Sequence, residues 1–224
     1  MFELSTKIKI CGMTDKNIVN ELSKLNIDYL GFINIKRSKR FVSLDKINDL
    51  TKNLENKNFL TLVIDDENPE EINNKINKTK IKNVQFHSNI TIKNIKKLKE
   101  LNNTINITMV IGIKNKIDSE VKNNLEKYSQ YVDNILFDYI KDGLTGGTNT
   151  HIPIETAVEA SKIIKNKNPK VNAILAGGLN YGYLKEIFEY LDNFDMVDVN
   201  SGVEDSPGIK NLGKIKRIVE LIKN

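Results

Sequence analysis

The sequence predicts a single-domain (βα)8 barrel, the TIM-barrel class of α/β folds, on three observations. Eight short β-rich apolar runs alternate with eight longer amphipathic stretches. The 224-residue length holds eight such units with little inserted material. The glycine-rich turns follow the sixth, seventh and eighth runs. A doubly wound open sheet carries its G-x-G-x-x-G turn after the first strand instead, and here that turn reads Cys11-Gly12-Met13-Thr14.

Strands are expected at Lys7–Gly12, Tyr29–Asn34, Phe59–Asp65, Asn83–His87, Ile105–Ile111, Asn134–Asp138, Ala173–Gly177 and Met196–Asn200. Each is brief and apolar on both faces, as parallel strands covered by helices are. The first helix is expected over Asn17–Leu25, with Ile18, Leu22 and Leu25 on one face. The second is expected over Ser43–Leu54, with Leu44, Ile47, Leu50 and Leu54 inward and Ser43 as N-cap. Others begin near Pro69, Thr91, Asp118, Pro153, Tyr181 and Leu212, the two prolines falling in first turns that tolerate them. The longest interruption, Tyr139–Pro153, is polar and rich in glycine and threonine. A long βα loop at the C-terminal face of a barrel is where function concentrates. With no linker or low-complexity tail, residues 1–224 are expected to form one catalytic domain.

The bulk composition narrows the function classes. Hydrophobic residues make up 39% of the chain and charged residues 28%, which supports a real core. No apolar run approaches the roughly 18 residues of a membrane span, and Met1–Thr14 lacks a signal-peptide pattern. No membrane partner is expected. One cysteine permits no internal disulfide, in keeping with a reducing, cytoplasmic compartment. The formal net charge of +5 comes from lysines dispersed among asparagines and isoleucines, without a basic block or interleaved aromatics. No nucleic-acid partner is therefore expected, whereas an anionic small substrate suits the charge. Two histidines and one cysteine, at no ligand spacing, predict no metal site. Monomer and homodimer both remain open.

Three glycine turns carry the first chemical signal: Gly146-Gly147-Thr148 in the sixth loop, Gly177-Gly178 after the seventh strand, and Ser201-Gly202-Val203 after the eighth. Glycine lets backbone amides approach a phosphate, and barrel phosphate sites are often built from the loops after strands seven and eight. Glu204-Asp205-Ser206-Pro207 is the candidate for the accompanying short helical turn. Any one of these turns alone reads as a cap or tight turn; three at C-terminal strand ends point to a phosphorylated ligand. Cys11, ending the first strand, and Asp138, ending the sixth, face the same mouth. A lone cysteine is usually a small buried hydrophobe and an aspartate at a strand end often a cap. Together, a thiol with a modestly lowered pKa and a carboxyl opposite it would suit two-residue acid–base chemistry.

Lys9-Ile10-Cys11-Gly12-Met13-Thr14 resembles the KICG-x-T opening of the phosphoribosylanthranilate isomerases. The likeness continues through Leu30-Gly31-Phe32-Ile33, Ser38-Lys39-Arg40-Phe41-Val42-Ser43 and Val84-Gln85-Phe86-His87. It extends through Phe137-Asp138 with Gly146-Gly147-Thr148, Leu175-Ala176-Gly177-Gly178-Leu179, Val197–Glu204 and Pro207–Lys210. The resemblance implies an Amadori rearrangement of N-(5-phosphoribosyl)anthranilate in tryptophan biosynthesis, without metal or cofactor. It implies Asp138 as general acid, with a pKa raised by burial or on substrate binding, and Cys11 as general base. Arg40 would hold the anthranilate carboxylate, which suits a planar guanidinium. Gln85 and His87 would line the pocket floor, and Asp198 matches a family position at the mouth with no role attached. Three positions depart from the family: Lys39 replaces a proline, Asn149 a glycine of the sixth loop, and Asn211 an aspartate. The competing readings are another phosphate-binding barrel of the same pathway, such as an indole-glycerol-phosphate synthase, and a non-catalytic sugar-phosphate binder.

Overall fold

The computed structural model describes residues 5–141, 144–145 and 151–223. Eight strands form the barrel: β1 (Lys7–Cys11), β2 (Tyr29–Ile33), β3 (Leu60–Ile64), β4 (Asn83–Phe86), β5 (Asn106–Ile113), β6 (Asn134–Lys141), β7 (Asn172–Leu175) and β8 (Met196–Val199). Each pairs in parallel with the next, and β8 closes onto β1 through Ile8↔Val197 and Lys9↔Asp198. The helices are α1 (Lys16–Leu22), α2 (Leu44–Thr51), α3 (Pro69–Thr79), α4 (Ile92–Leu101), α5 (Ser119–Tyr128), α6 (Ile154–Lys167), α7 (Tyr181–Glu186) and α8 (Leu212–Lys223). The (βα)8 barrel expected from the sequence is the fold. Among the described residues, no helix is long and apolar enough to cross a membrane.

Helix starts follow their caps. Asp15, Ser43, Asn68, Thr91, Asp118 and Asn180 each accept a backbone N–H of the first turn, and Pro69 occupies the first position of α3. Pro153 instead stands at the N-cap of α6. Helix ends were less legible. Helix α1 stops at Leu22 and α2 at Thr51, each three residues short of its expected end, because Leu25 and Leu54 pack against the core from the turns that follow. Strand β6 also runs on to Lys141 and turns back through Leu144–Thr145, so the long interruption begins as strand.

The outward face of the strands is apolar throughout, whereas the inward face mixes apolar with polar side chains, which corrects the two-faced expectation in part. Ile8, Ile10, Leu60, Leu62, Ile107, Ile135 and Val197 point outward into the main core against the helices. The inward positions carry buried Lys9, Thr61, Gln85, Thr108, Asp138 and Asp198, along with Cys11 and Val63. Alternation along a strand makes this possible, since residues i and i+2 share a face. A plug of Val110, Leu136, Ile174, Ala176 and Met196 fills the rest of the interior. At the opposite end from the mouth, one device recurs three times. Asp28, Asp133 and Asp195, just ahead of β2, β6 and β8, accept the N–H of Ile8, Ile107 and Ala173 at 2.8 Å. Each also pairs with a helix lysine (Lys223, Lys99 and Lys165) at 2.9, 3.4 and 2.8 Å.

Candidate active site

Cys11 ends β1 two residues beyond Lys9 on the inward face and is 3% exposed. Its register partner on β2 is Gly31, where a Cβ would lie 2.7 Å from the Cys11 Sγ. The glycine thus opens a niche for the sulfur, walled by Ile33, Ile35 and Val63. Burial pushes the thiol pKa above its ordinary 9.0, although Lys9 and Lys210 pull it back and Asp198 adds to the rise. The expectation of a lowered pKa is therefore overturned: loss of hydration in an apolar niche outweighs the nearby cations.

Asp138 lies on β6 opposite Gly112 of β5 and is 4% exposed. Leu136, two residues earlier, belongs to the interior plug, so Asp138 turns inward one level higher. Strands β7 and β8 separate β6 from β1, which sets carboxyl and thiol across one mouth. Gly146, Gly147 and Thr148 lie outside the described residues, as does Asn149.

Beneath Cys11 runs a buried polar chain. The Lys9 Nζ donates to Asp198 Oδ2 at 2.7 Å and to Gln85 Oε1 at 2.6 Å, joining β1, β8 and β4 across the interior. Burial favours the neutral amine, yet Asp198 and Cys11 outweigh it and hold the Lys9 pKa above its ordinary value. Because Lys9 fixes the Gln85 oxygen, the Gln85 Nε2 faces His87 Nε2 at 3.0 Å and donates to it. His87 must then carry its proton on Nδ1 and stay neutral. Although partly exposed, its ring sits deep enough that burial, with Lys9 and Arg37, pushes its pKa down to about 4. The unfolded chain takes up this proton near 6.5 and the folded chain near 4, so stability is full above 6.5 and falls across that window. Lowering the pH through the window is expected to cost about 3 kcal/mol of stability. Unfolding free energies from urea titrations at neutral pH and at the acid end should differ by this amount more in the wild type than in His87→Gln.

Arg40 reaches over Gly12, where a Cβ would lie 2.8 Å from Arg40 Cδ. It grips Glu204 with Nε at 2.8 Å and Nη2 at 2.6 Å. Glu204 also accepts from Lys210 Nζ at 2.9 Å and from the Gly208 N–H at 3.1 Å. Burial alone would raise the Glu204 pKa, but the bonds from Arg40 and Lys210 hold it below the usual carboxylate value. The departure at Lys39 is absorbed locally, since the Arg40 N–H donates to Ser38 Oγ at 3.1 Å and fixes the turn a proline would preset. Asn211 replaces an aspartate without loss, accepting the Lys214 N–H at 3.0 Å as the cap of α8.

The loops after β7 and β8 are interlocked. Gly177 and Gly178 both take positive φ, at 89° and 64°. A side chain at Gly202 would collide with the Leu179 carbonyl and lie 2.8 Å from Asn180 Cβ. Gly202 thus stands against the turn that follows Gly177 and Gly178. The short helical turn is not where the sequence put it: Ser201–Val203 forms a 3-10 turn, while Glu204–Ser206 pairs with Ile209–Lys210 as a hairpin. The hairpin is what lets Glu204 meet Arg40 and Lys210 on one side. His151 stacks on Tyr183 at 3.7 Å, and its Nδ1 donates to the Gly177 carbonyl at 3.0 Å, bracing this corner.

Sequence reasoning gave Lys9, Gly31, Glu204 and Lys210 no role of their own. All four stand inside or beside the quoted motifs, which was the available signal. The closed barrel with polar groups gathered at the C-terminal ends of its strands defines a (βα)8-barrel enzyme. A family model described as N-(5'-phosphoribosyl)anthranilate (PRA) isomerase matches residues 8–221. The chain belongs to that family. It is thus an isomerase of L-tryptophan biosynthesis acting on N-(5'-phosphoribosyl)anthranilate. An isomerase of that name from Petrotoga mobilis is 34% identical over 221 residues, with 97% of each chain covered. The solved phosphoribosyl anthranilate isomerase of Thermotoga maritima shares the fold with a TM-score of 0.82 at 23% identity, covering 97% of this chain and 98% of that one. The Thermotoga maritima enzyme is described as dimeric, and monomers generated from it are also solved. A further isomerase of this type, solved with reduced 1-(o-carboxyphenylamino)-1-deoxyribulose 5-phosphate, aligns at TM-score 0.78 and 22% identity over the same shares.

Proposed function

We propose that Cys11 and Asp138 perform the isomerisation as general base and general acid. One observation carries this reading: both side chains, buried on β1 and β6, turn into the same barrel mouth. Asp138 protonates the furanose ring oxygen, the ring C–O bond breaks, and the anthranilate nitrogen supplies the electron pair that makes an iminium. Cys11, as thiolate, takes the proton from the adjacent sugar carbon. The C–H electrons become the enolamine double bond, the iminium pair returns to nitrogen, and tautomerisation gives the ketone.

Arg40 holds the anthranilate carboxylate. Its fork to Glu204 uses Nε and Nη2, which leaves Nη1 without a partner among the described residues. Gln85 and His87 form the floor beside Asp198. Backbone amides of Gly177, Gly178, Ser201 and Gly202, with Gly146, Gly147 and Thr148, take the phosphate. The relative solved with a reduced deoxyribulose 5-phosphate product supports a phosphorylated ligand here. The whole of residues 1–224 acts as one catalytic unit, cytoplasmic as its single cysteine suggests. It works as a monomer or as a homodimer like the Thermotoga maritima relative. The test is the fluorescence of N-(5'-phosphoribosyl)anthranilate: catalytic amounts of protein are expected to extinguish it, and decay no faster than in buffer would overturn the reading.

A further inference from the structure

We propose that Lys9 is a positioning residue whose ammonium, braced from below by Asp198 and Gln85, supplies the countercharge that lets Cys11 exist as a thiolate. The proposal rests on Cys11 acting as the base, and its test reads the sulfur directly.

The geometry carries it. Lys9 and Cys11 are residues i and i+2 of β1 and share the inward face. The ammonium has three N–H donors. Asp198 and Gln85 take two of them at 2.7 and 2.6 Å, from strands on either side of the interior. This leaves one for the group that follows on the same face, the Cys11 sulfur, which sits among apolar side chains with the Gly12 N–H adding a smaller pull toward the thiolate than Lys9 does. A buried lysine at 2% exposure is costly unless its charge is used. The interaction registers on both partners: Cys11 favours the charged lysine, and Lys9 favours the thiolate.

Other charged groups face the sulfur as well. Arg40 and Lys210 approach from the rim, but both are bonded to Glu204. Asp198 approaches from β8 and opposes the thiolate. Asp138 faces it from β6, and His87 stands neutral on β4 beside Gln85. Lys9 is therefore the cation placed directly on the thiol's own face. Asp198 has two opposed effects, keeping Lys9 charged and aimed while repelling the anion it helps to create.

Cys11 is the only cysteine of the chain, so the ultraviolet absorbance of a thiolate reports on it alone once a Cys11→Ser blank removes the tyrosine background. Lys9→Met is expected to move that titration upward by roughly one to three pH units. Asp198→Asn should move it downward, and Lys9→Arg should leave it near wild type. If Lys9→Met does not fold because Asp198 is stranded, the Lys9→Met/Asp198→Asn double variant removes both charges. Its thiol should still titrate above wild type, because Lys9 acts on the sulfur more strongly than Asp198 does. An unmoved titration in Lys9→Met or the double variant, or an equal upward shift in Lys9→Arg, overturns the proposal. Activity separates the two readings. If Cys11→Ser isomerises normally, the assignment of the base fails, whatever the absorbance says about Lys9. If both hold, the rising limb of kcat/KM against pH moves with the absorbance.

Discussion

Cys11→Ala and Asp138→Asn are each expected to lower kcat by roughly 10²–10⁴-fold, the usual worth of a positioned acid or base. Neither change should disturb the fold. Removing one sulfur from the niche of Ile33, Ile35 and Val63 creates a small void, and aspartate to asparagine preserves shape. On the proposed roles, with the two groups acting on protons in flight while Arg40 and the backbone amides hold the substrate, the losses should fall on kcat more than on KM. The pH profile carries a sign. With burial raising the thiol pKa above its ordinary 9.0, kcat/KM should still be rising with pH beyond neutrality, as more of Cys11 ionises. Steady-state fluorescence assays across pH, with circular dichroism to confirm folding, check both parts. A folded Cys11→Ala variant with wild-type kcat would sink the assignment.

Asp198→Ala is expected to destabilise the barrel by about 3–5 kcal/mol, the typical cost of leaving one member of a buried ion pair behind. Lys9 and Asp198 are 2% and 8% exposed, and Gln85 alone cannot neutralise the ammonium. Adding Lys9→Met to Asp198→Ala should recover much of the loss, since the uncompensated charge disappears. Urea unfolding of the two single variants, the double and the wild type closes the cycle. Equal stability of Asp198→Ala with and without Lys9→Met would show the pair to be uncoupled. The folded Lys9 pKa is raised, so the pair's contribution is complete below the ordinary lysine value of 10.5 and fades only as pH climbs through the higher folded value. The measurement can therefore be made anywhere near neutrality.

Most of the barrel could be read from short-range pattern. Strand starts, the cap Ser43, the helix starts near Thr91 and Asp118 and the proline of α3 are local signals, and they fell where the residues indicated. Helix ends were harder, because Leu25 and Leu54 keep the helical period yet pack from turns. The chain's interior chemistry was harder still. In Lys7-Ile8-Lys9-Ile10-Cys11 the alternation is plain, but nothing local says that Lys9 is buried inside the barrel while Lys7, on the same face, lies exposed at the strand's start. Its partners stand 76 and 189 residues away, and only barrel closure joins them. Arg40 was legible as a guanidinium in a motif, whereas its clamp by Glu204 depends on a hairpin that was expected to be a helical turn.

The locked glycine at 202 has a consequence for how such an enzyme could change its diet. With the Leu179 carbonyl against it, no bulkier residue enters without displacing the neighbouring turn, so these two segments can be altered only in concert. If these turns hold the phosphate, as proposed, a change of substrate falls to side chains elsewhere on the rim, such as His87 after β4.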